Sequence, residues 1–414
     1  LQLEESPVTL DRRDFLRSGA AGMAALAFTP DLEALFPRAP RGETLKLGVI
    51  GTGTQGCNAL EELATIEGCA VVAIADVDPG RRNRGKRRAP DATIYESGAA
   101  LLDAGGIDAV VIAASTFAHR ELAEQALAKK IKVYLEAPLA HNEADASAIA
   151  AACFEDGAWL TAGFTANTNP VYKRARDVFQ SGALRNLVSL RSHWRRKLSW
   201  KAAAPTPDRE QALSWKIDPK RSAGICGEIA SHHVHTMRWF TGKSPWSVRG
   251  WGGIRLWQNG TELPDTVQLE FGWDGELRCQ QELTLASSIG GEELEVSGTH
   301  GTIRLAGRHA WLFKEPDAAT QGWEVYAHRE RFHQDEGYVL LANATKLAAQ
   351  GKLQAGAGLP HTELWYALQA FVTAAVEDAE PPCPIQDAMP STTAGIKAAE
   401  SVVTGEEALL GFVG

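Results

Sequence analysis

Six residues near the start of the chain, Gly51-Thr52-Gly53-Thr54-Gln55-Gly56, have the types and spacing to hold a dinucleotide. The first glycine permits a tight turn out of a strand, and the second lets a pyrophosphate approach the backbone. The third lets the following helix pack close to that strand. The helix then directs its first N–H groups at the phosphates. The motif alone is weak, so its setting matters. The apolar run Leu45–Ile50 precedes it, and a helical pattern through Leu60, Leu63, Ala64 and Ile66 follows. A second strand, Val71–Ala75, ends in Asp76, where an acid that bonds the ribose 2′-hydroxyl belongs. A carboxylate there repels a 2′-phosphate and favours NAD over NADP, while Arg81 and Arg82 keep NADP open. Thr54 and Gln55 join Gly51, Gly53, Gly56 and Asp76 as expected cofactor contacts.

A second chemistry-bearing group lies far downstream. His232, His233 and His235 fall within four positions, and Glu228 stands one helical turn before His232. His232 and His235 are spaced to share a helical face, a pattern that can hold a metal acting as Lewis acid. No cysteine or aspartate at ligand spacing accompanies them, so no metal is expected. The six cysteines (Cys57, Cys69, Cys153, Cys226, Cys279 and Cys383) form no CxxC pair. That is the usage of a protein folded in a reducing compartment.

The elements that must position these groups alternate. Asp108–Ala114 reads as a buried parallel strand, Glu121–Lys129 as a helix and Lys132–Leu135 as the next strand. Asn142 caps a further helix through Ala146, Ile149 and Cys153, ended by Gly157, and Trp159–Phe164 is a sixth strand. Ligand contacts belong at the carboxyl ends of such strands, at Ser115–His119 and Glu136-Ala137-Pro138. The length, 414 residues, exceeds one ordinary core.

Lys and Arg total 42 against 51 Asp and Glu, and the net charge of −9 argues against a nucleic-acid partner. The 12 tryptophans concentrate from Trp194 onward, which suits a carbohydrate ligand, although most are expected in the core. At the N-terminus, Arg12-Arg13 and Phe15-Leu16 precede a weakly apolar run from Gly19 to Phe28, with Ala25-Leu26-Ala27 as a cleavage site. This resembles a twin-arginine export signal. The run is too short to span a bilayer, so no stable membrane insertion is expected. The signal implies a protein exported in the folded state, periplasmic or extracytoplasmic, that keeps its dinucleotide and turns it over in place. The predicted organisation is a signal at 1–29, a Pro-rich arm at 30–44, a nucleotide domain at 45–166 and a substrate domain at 167–414.

After residue 44 the chain resembles the glucose–fructose oxidoreductase / inositol dehydrogenase family, Gfo/Idh/MocA. Its anchors are the Gly51 turn, Ala113–His119, Lys132-Val-Tyr-Leu-Glu-Ala-Pro-Leu139, Gly163-Phe164 with Asn169-Pro170, Ser181-Gly182-Ala183-Leu184, and Gly224–Trp239. The resemblance implies an α/β Rossmann domain followed by an α+β domain with an open, mainly antiparallel sheet. One face of that sheet carries helices and the other commonly forms an oligomer interface, so a homo-oligomer, dimer or tetramer, is expected. The stretches Asn186–Trp194, Ser247–Leu256, Thr266–Trp273, Leu277–Leu285, Glu293–Ser297 and Thr302–Leu305 suit its strands. Helices at Thr362–Glu377 and Ala388–Thr404 would pack back near the nucleotide domain.

The family's E-K-P lysine helps move the substrate hydroxyl proton. Here the motif reads Glu136-Ala137-Pro138, and an alanine cannot do so. The family's D-x-x-x-H pair corresponds to Glu228 and His232, which implies His232 as general acid/base with Glu228 orienting it. Ser115, His119, Glu136 and Pro138 are implied at the cofactor cleft. Asn167, Arg191, Trp194, His233 and His235 are expected at the substrate, with Arg191, His193, Trp194 and Arg195 entering the cleft by strand alternation. The implied activity is NAD-dependent oxidation of a sugar or glycoside, the cofactor being held tightly. Ala137 keeps a second reading open: an NAD-dependent glycoside hydrolase working by transient oxidation, elimination and re-reduction. A non-catalytic sugar-binding homologue is the third.

Overall fold

Six strands form a wholly parallel sheet in the order β3-β2-β1-β4-β5-β6: β1 (Leu45–Ile50), β2 (Cys69–Ala75), β3 (Thr93–Tyr95), β4 (Ala109–Ile112), β5 (Lys132–Leu135) and β6 (Leu160–Ala162). The computed structural model describes residues 44–411 apart from 259, 274, 333, 334 and 342–358. The predicted export signal at 1–29 and residues 30–43 of the predicted arm lie outside the described residues. Strand β4 is buried throughout, as a continuous apolar run covered on both faces must be. The strand order reverses between β1 and β4, the point at which a doubly wound sheet takes a ligand at its carboxyl ends.

Five helices connect these strands: α1 (Thr54–Leu63), α2 (Pro79–Arg88), α3 (Gly98–Ala104), α4 (His119–Ala128) and α5 (Glu143–Ala152). Asp78, Ser97 and Asn142 cap α2, α3 and α5 with side-chain oxygens that accept backbone N–H groups. Strand β3 and helix α3 are too short to announce themselves as periodic patterns. Helix α6 (Pro170–Gln180) follows, capped by Asn169.

Among the described residues the second sheet has ten strands, in the order β14-β15-β13-β12-β11-β7-β10-β9-β8-β16. They are β7 (Leu187–Arg195), β8 (Ser247–Gly253), β9 (Thr266–Gly272), β10 (Arg278–Thr284), β11 (Glu292–Gly298), β12 (Gly301–Ala306), β13 (His309–Lys314), β14 (Arg329–Arg331), β15 (Glu336–Val339) and β16 (Ala408–Leu409). Among the described strands of this sheet, only the β7–β10 pairing is parallel. The six predicted strands of this sheet are present; β13 to β16 extend it beyond the sequence reading.

Helices α6, α8 (Ser231–Thr241) and the C-terminal α10 (Ile385–Thr404) lie on one face of the sheet. Helix α9 (Glu363–Glu377) returns to the first sheet, where Leu368, Phe371 and Val372 bury against Leu47, Leu60 and Tyr134. Between β7 and α8, residues 196–230 contain the short helix α7 (Pro207–Leu213) and cross back toward the first sheet, where Arg209 meets Asp78. Among the described residues no helix is long and apolar enough to cross a membrane.

Candidate active site

The glycine turn has the geometry that its spacing demands. Gly51 adopts φ +88°, and a Cβ there would stand 2.5 Å from the Ala113 carbonyl oxygen. A Cβ at Gly56 would lie 1.7 Å from the Gly51 carbonyl oxygen, so helix and turn approach as closely as backbone allows. Above Gly53 the space is open, the nearest atom being the Arg81 guanidinium carbon at 3.6 Å from an added Cβ. No side chain caps α1, whose first N–H groups are left for a ligand. Thr54 and Gln55 are exposed at its start. This cradle fits a dinucleotide pyrophosphate.

Asp76 closes β2 as expected and is buried. It accepts the backbone N–H of Thr52 at 2.7 Å and that of Asp78 at 2.8 Å, so both of its oxygens shape the turn. Arg82 donates to the Asp76 carbonyl at 2.9 Å, which leaves Arg81 as the cation beside the turn. Gln55 donates to Glu136 at 3.0 Å, linking the turn to the end of β5. Burial pushes the Glu136 carboxyl up to about 7, against the Gln55 bond, the Ala137 N–H and the Lys216 charge, with Glu228 adding to the rise. Ala137 is half-buried and its bond to Pro138 is cis. Ser115 is half-buried at the end of β4.

Where the sequence predicts a cofactor contact at His119, the fold uses the ring elsewhere. It is buried, with Nδ1 against the Pro138 and Leu139 carbonyls at 3.1 and 3.2 Å and Nε2 against that of Ala114 at 3.3 Å. Burial disfavours the charged ring, whose single N–H donates to one of these carbonyls, and His119 packs between the loops after β4 and β5.

The expected pairing of Glu228 with His232 is also corrected. Cys226–Ala230 forms a π-helical turn that runs into α8. The wider turn rotates Glu228 relative to His232. Its carboxylate finds other partners: Thr116 donates to Oε1 at 2.8 Å, and Lys216 Nζ lies 2.9 Å from Oε2. His232 packs edge-on against Phe164 with ring centroids 5.0 Å apart. Burial holds its imidazole below the ordinary range, opposed chiefly by the Glu292 carboxylate and also by a bond to the Ala137 backbone and by Glu228.

The neighbouring rings take different partners. His233 is buried between Ser192 Oγ at 2.9 Å and Glu292 Oε1 at 3.3 Å. His235 stacks on Phe164 at 4.4 Å and meets Ser391 Oγ at 3.4 Å. Burial, with the nearby Arg238 charge, pushes its imidazole down to about 3, so it stays neutral. Of the three, only His232 retains partial exposure.

A cavity of about 180 Å³ collects these groups, and its walls include Phe164, Tyr172, Trp194, His232, Glu292 and Glu363. Burial raises Glu363 to about 7, Glu292 adding to the rise and the Asn169 amide opposing it. Burial acts on Glu292 in the same sense, but the bond and charge of His233 outweigh it and hold that carboxyl below its ordinary value. Trp194 lines the cavity. Arg191 does not: alternation along β7 turns Ser192 and Trp194 inward and sends Arg191, His193 and Arg195 to the opposite face of the sheet, beside Gln268 and Glu295. Asn167 is corrected too, since its amide donates to the Pro382 carbonyl at 2.6 Å and ties down the α9–α10 connection.

Thr116, Tyr172, Lys216, Glu292 and Glu363 join the site without warning from sequence. Each comes from a separate element and no local spacing links them. The nearest signal is the aromatic company of Lys216, whose ammonium stands 5.1 Å from the Trp200 ring centroid and 5.3 Å from that of Trp215.

Residues 45–164 match the model of an oxidoreductase family with an NAD-binding Rossmann fold, and residues 172–304 match the GFO/IDH/MocA C-terminal domain. Inositol 2-dehydrogenase 1 of Saccharopolyspora erythraea is 31% identical over 292 residues, covering 68% of this chain and 83% of the relative. Inositol 2-dehydrogenase of Acidothermus cellulolyticus is 27% identical over 267 residues, 64% of this chain and 73% of its own. Levoglucosan dehydrogenase in complex with NADH and levoglucosan superposes with a TM-score of 0.71 at 18% identity, over 89% of this chain and 100% of that one. An Agrobacterium radiobacter oxidoreductase in complex with NAD+, L-tartaric acid and magnesium gives 0.66 at 19% identity, over 89% and 99%. At such identities the structures show a shared fold.

Proposed function

The chain belongs to the Gfo/Idh/MocA oxidoreductase family, and from that premise we propose that it oxidises a ring hydroxyl of a cyclic polyol or sugar and retains its NAD between turnovers. The observation that carries the reading is the bridge from the glycine turn through Gln55 and Glu136 to Ala137, whose backbone meets His232 at the cavity. Bound NAD supplies the hydride acceptor. The neutral His232 ring takes the hydroxyl proton as the carbonyl forms. Glu292 and Glu363 accept hydroxyl hydrogen bonds, and Trp194 and Phe164 offer apolar surface to a ring face.

The inositol dehydrogenase relatives support a cyclic polyol as the first substrate to try. The Arg12-Arg13 motif supports export by the twin-arginine route, after which no free dinucleotide pool would replace a lost cofactor. The open polar face beside Arg191 supports assembly into a dimer or tetramer. Ala137 favours one second reading, hydrolysis of a glycoside by transient oxidation.

The test begins with purified protein assayed for co-purified dinucleotide. It is then offered myo-inositol, glucose and levoglucosan, and separately aryl glycosides. Sugar-dependent growth of NADH absorbance supports the oxidoreductase. Aglycone release without net NADH supports the hydrolase instead, and failure to bind dinucleotide overturns both.

A further inference from the structure

Lys216 occupies an unusual position for an ammonium. It sits on a one-turn helix, Trp215–Ile217, in the segment that crosses from the second sheet to the first. Its Nζ lies 2.9 Å from Glu228 Oε2, and that carboxylate is almost wholly buried, with 7% side-chain exposure against 36% for the lysine. Two indoles frame the ammonium, and Trp215 is anchored edge-on against Phe117 of the loop after β4. Arg221 packs over the same Phe117 ring. The segment is thus pinned where Lys216 works. Lys216 also acts on Glu136, the residue before Ala137, where its charge opposes the rise caused by burial. An ammonium has three N–H donors, and Glu228 engages one of them. Glu228 itself lines the cavity of His232, so the ammonium stands one carboxylate away from that cavity.

We propose that Lys216 is the cationic hydrogen-bond donor of the reaction centre, acting on the oxygen of the hydroxyl that is oxidised. This rests on the oxidoreductase reading above. In the step, the carbinol C–H bond breaks with its electron pair passing as hydride to NAD, and the O–H proton passes to His232. The oxygen carries partial negative charge on the way to the carbonyl, and the Lys216 ammonium stabilises it without itself changing protonation. Glu228, itself bonded by the Thr116 hydroxyl, holds the ammonium in place, so the carboxylate is a positioning group for the lysine. The cation that the Glu136-Ala137-Pro138 turn lacks is delivered from a different element.

Three variants of the full-length protein test this: Lys216→Met, Lys216→Met combined with Ala137→Lys, and Lys216→Arg. Lys216→Met should lose about 100-fold in kcat, as for removal of one oxyanion donor, while NAD affinity by calorimetry stays at the wild-type value. Ala137→Lys should restore much of that loss by bringing an ammonium from the neighbouring backbone. Lys216→Arg should retain an intermediate rate, since the charge persists with a different shape. A readout without turnover is acetylation of Lys216 by acetic anhydride, followed by mass spectrometry. NAD+ with the fastest sugar of the panel should protect it where NAD+ alone does not. Full turnover in Lys216→Met, or equal acetylation with and without the sugar, overturns the assignment. So does loss of NAD binding together with turnover and no rescue from position 137, which is the signature of a structural role. An inactive wild type overturns the oxidoreductase reading and Lys216 with it, whereas an active Lys216→Met beside an active wild type overturns Lys216 alone.

Discussion

Arg209 grips Asp78 with both ends of its guanidinium, Nε to Oδ2 at 2.5 Å and Nη2 to Oδ1 at 3.0 Å. Asp78 caps α2 two residues after Asp76, and Arg209 stands on α7 in the segment that leaves the second sheet. The pair therefore ties that segment to the end of β2 that carries Asp76. The Arg209 bond, helped by the Arg81 N–H and charge, holds the Asp78 carboxyl down at about 2 against the effect of burial. A depressed carboxylate contributes stability above its unfolded pKa and loses it as pH falls through the folded value, so the tie persists throughout the neutral range.

Arg209→Ala should accordingly release NAD faster, by about tenfold, as when one partner of a closing contact is removed. The dissociation rate, followed by NADH fluorescence after dilution, checks this. An unchanged rate would show that the segment does not retain the cofactor.

Two glycine substitutions should separate folding from binding. Gly56→Ala places a methyl group 1.7 Å from a backbone oxygen, which cannot yield as a flexible side chain would. It should destabilise the protein by about 3 kcal/mol or more, read from the denaturation midpoint. Gly53→Ala meets only Arg81 at ordinary contact distance and should fold like the parent. It should still weaken NAD binding, because its methyl group occupies the cradle. Loss of stability in both variants, or in neither, would contradict this division.

The pH dependence turns on Glu136. Its carboxyl is raised to about 7, so the folded state keeps a proton that the unfolded chain has released. Stability then falls as pH rises from the unfolded carboxylate range through about 7, and the loss is complete above it. Glu136→Gln removes that penalty while preserving shape. Each tenfold change in proton affinity is worth about 1.4 kcal/mol. The variant should therefore be more stable than the parent by about 3 kcal/mol at pH 8 and equal to it at about pH 4. Denaturant unfolding at the two pH values measures the difference; equal gaps at both would remove Glu136 as the titrating group.

The nucleotide half of this site is readable in the sequence because its chemistry is local. Gly51, Gly53, Gly56 and Asp76 act through turns and strand ends that one stretch of sequence specifies. The substrate half depends on contacts between distant elements. Thr116 and Glu228 are 112 positions apart, and Glu292 and Glu363 reach one cavity from a strand and a helix. Glu228 shows the limit most clearly. Its i, i+4 spacing to His232 is visible, but the π-helical turn that re-aims it is not, since nothing in the residue types of Cys226–Ala230 announces a wider turn.

Sequence spacing places Arg191 and Trp194 together at the substrate, and the structure separates them by the parity of β7. Trp194 is buried against the cavity, while Arg191 is exposed on the far face of the sheet. Trp194→Ala should therefore raise the sugar KM by about tenfold or more, through loss of an apolar wall worth roughly 1–3 kcal/mol, with NAD affinity little changed. Arg191→Ala should leave kcat and both KM values at the parent level. Its effect should instead show in sedimentation, because the face it occupies is the one proposed to join copies of the chain. A sugar KM raised by Arg191→Ala in a protein of unchanged mass would place that arginine at the substrate after all.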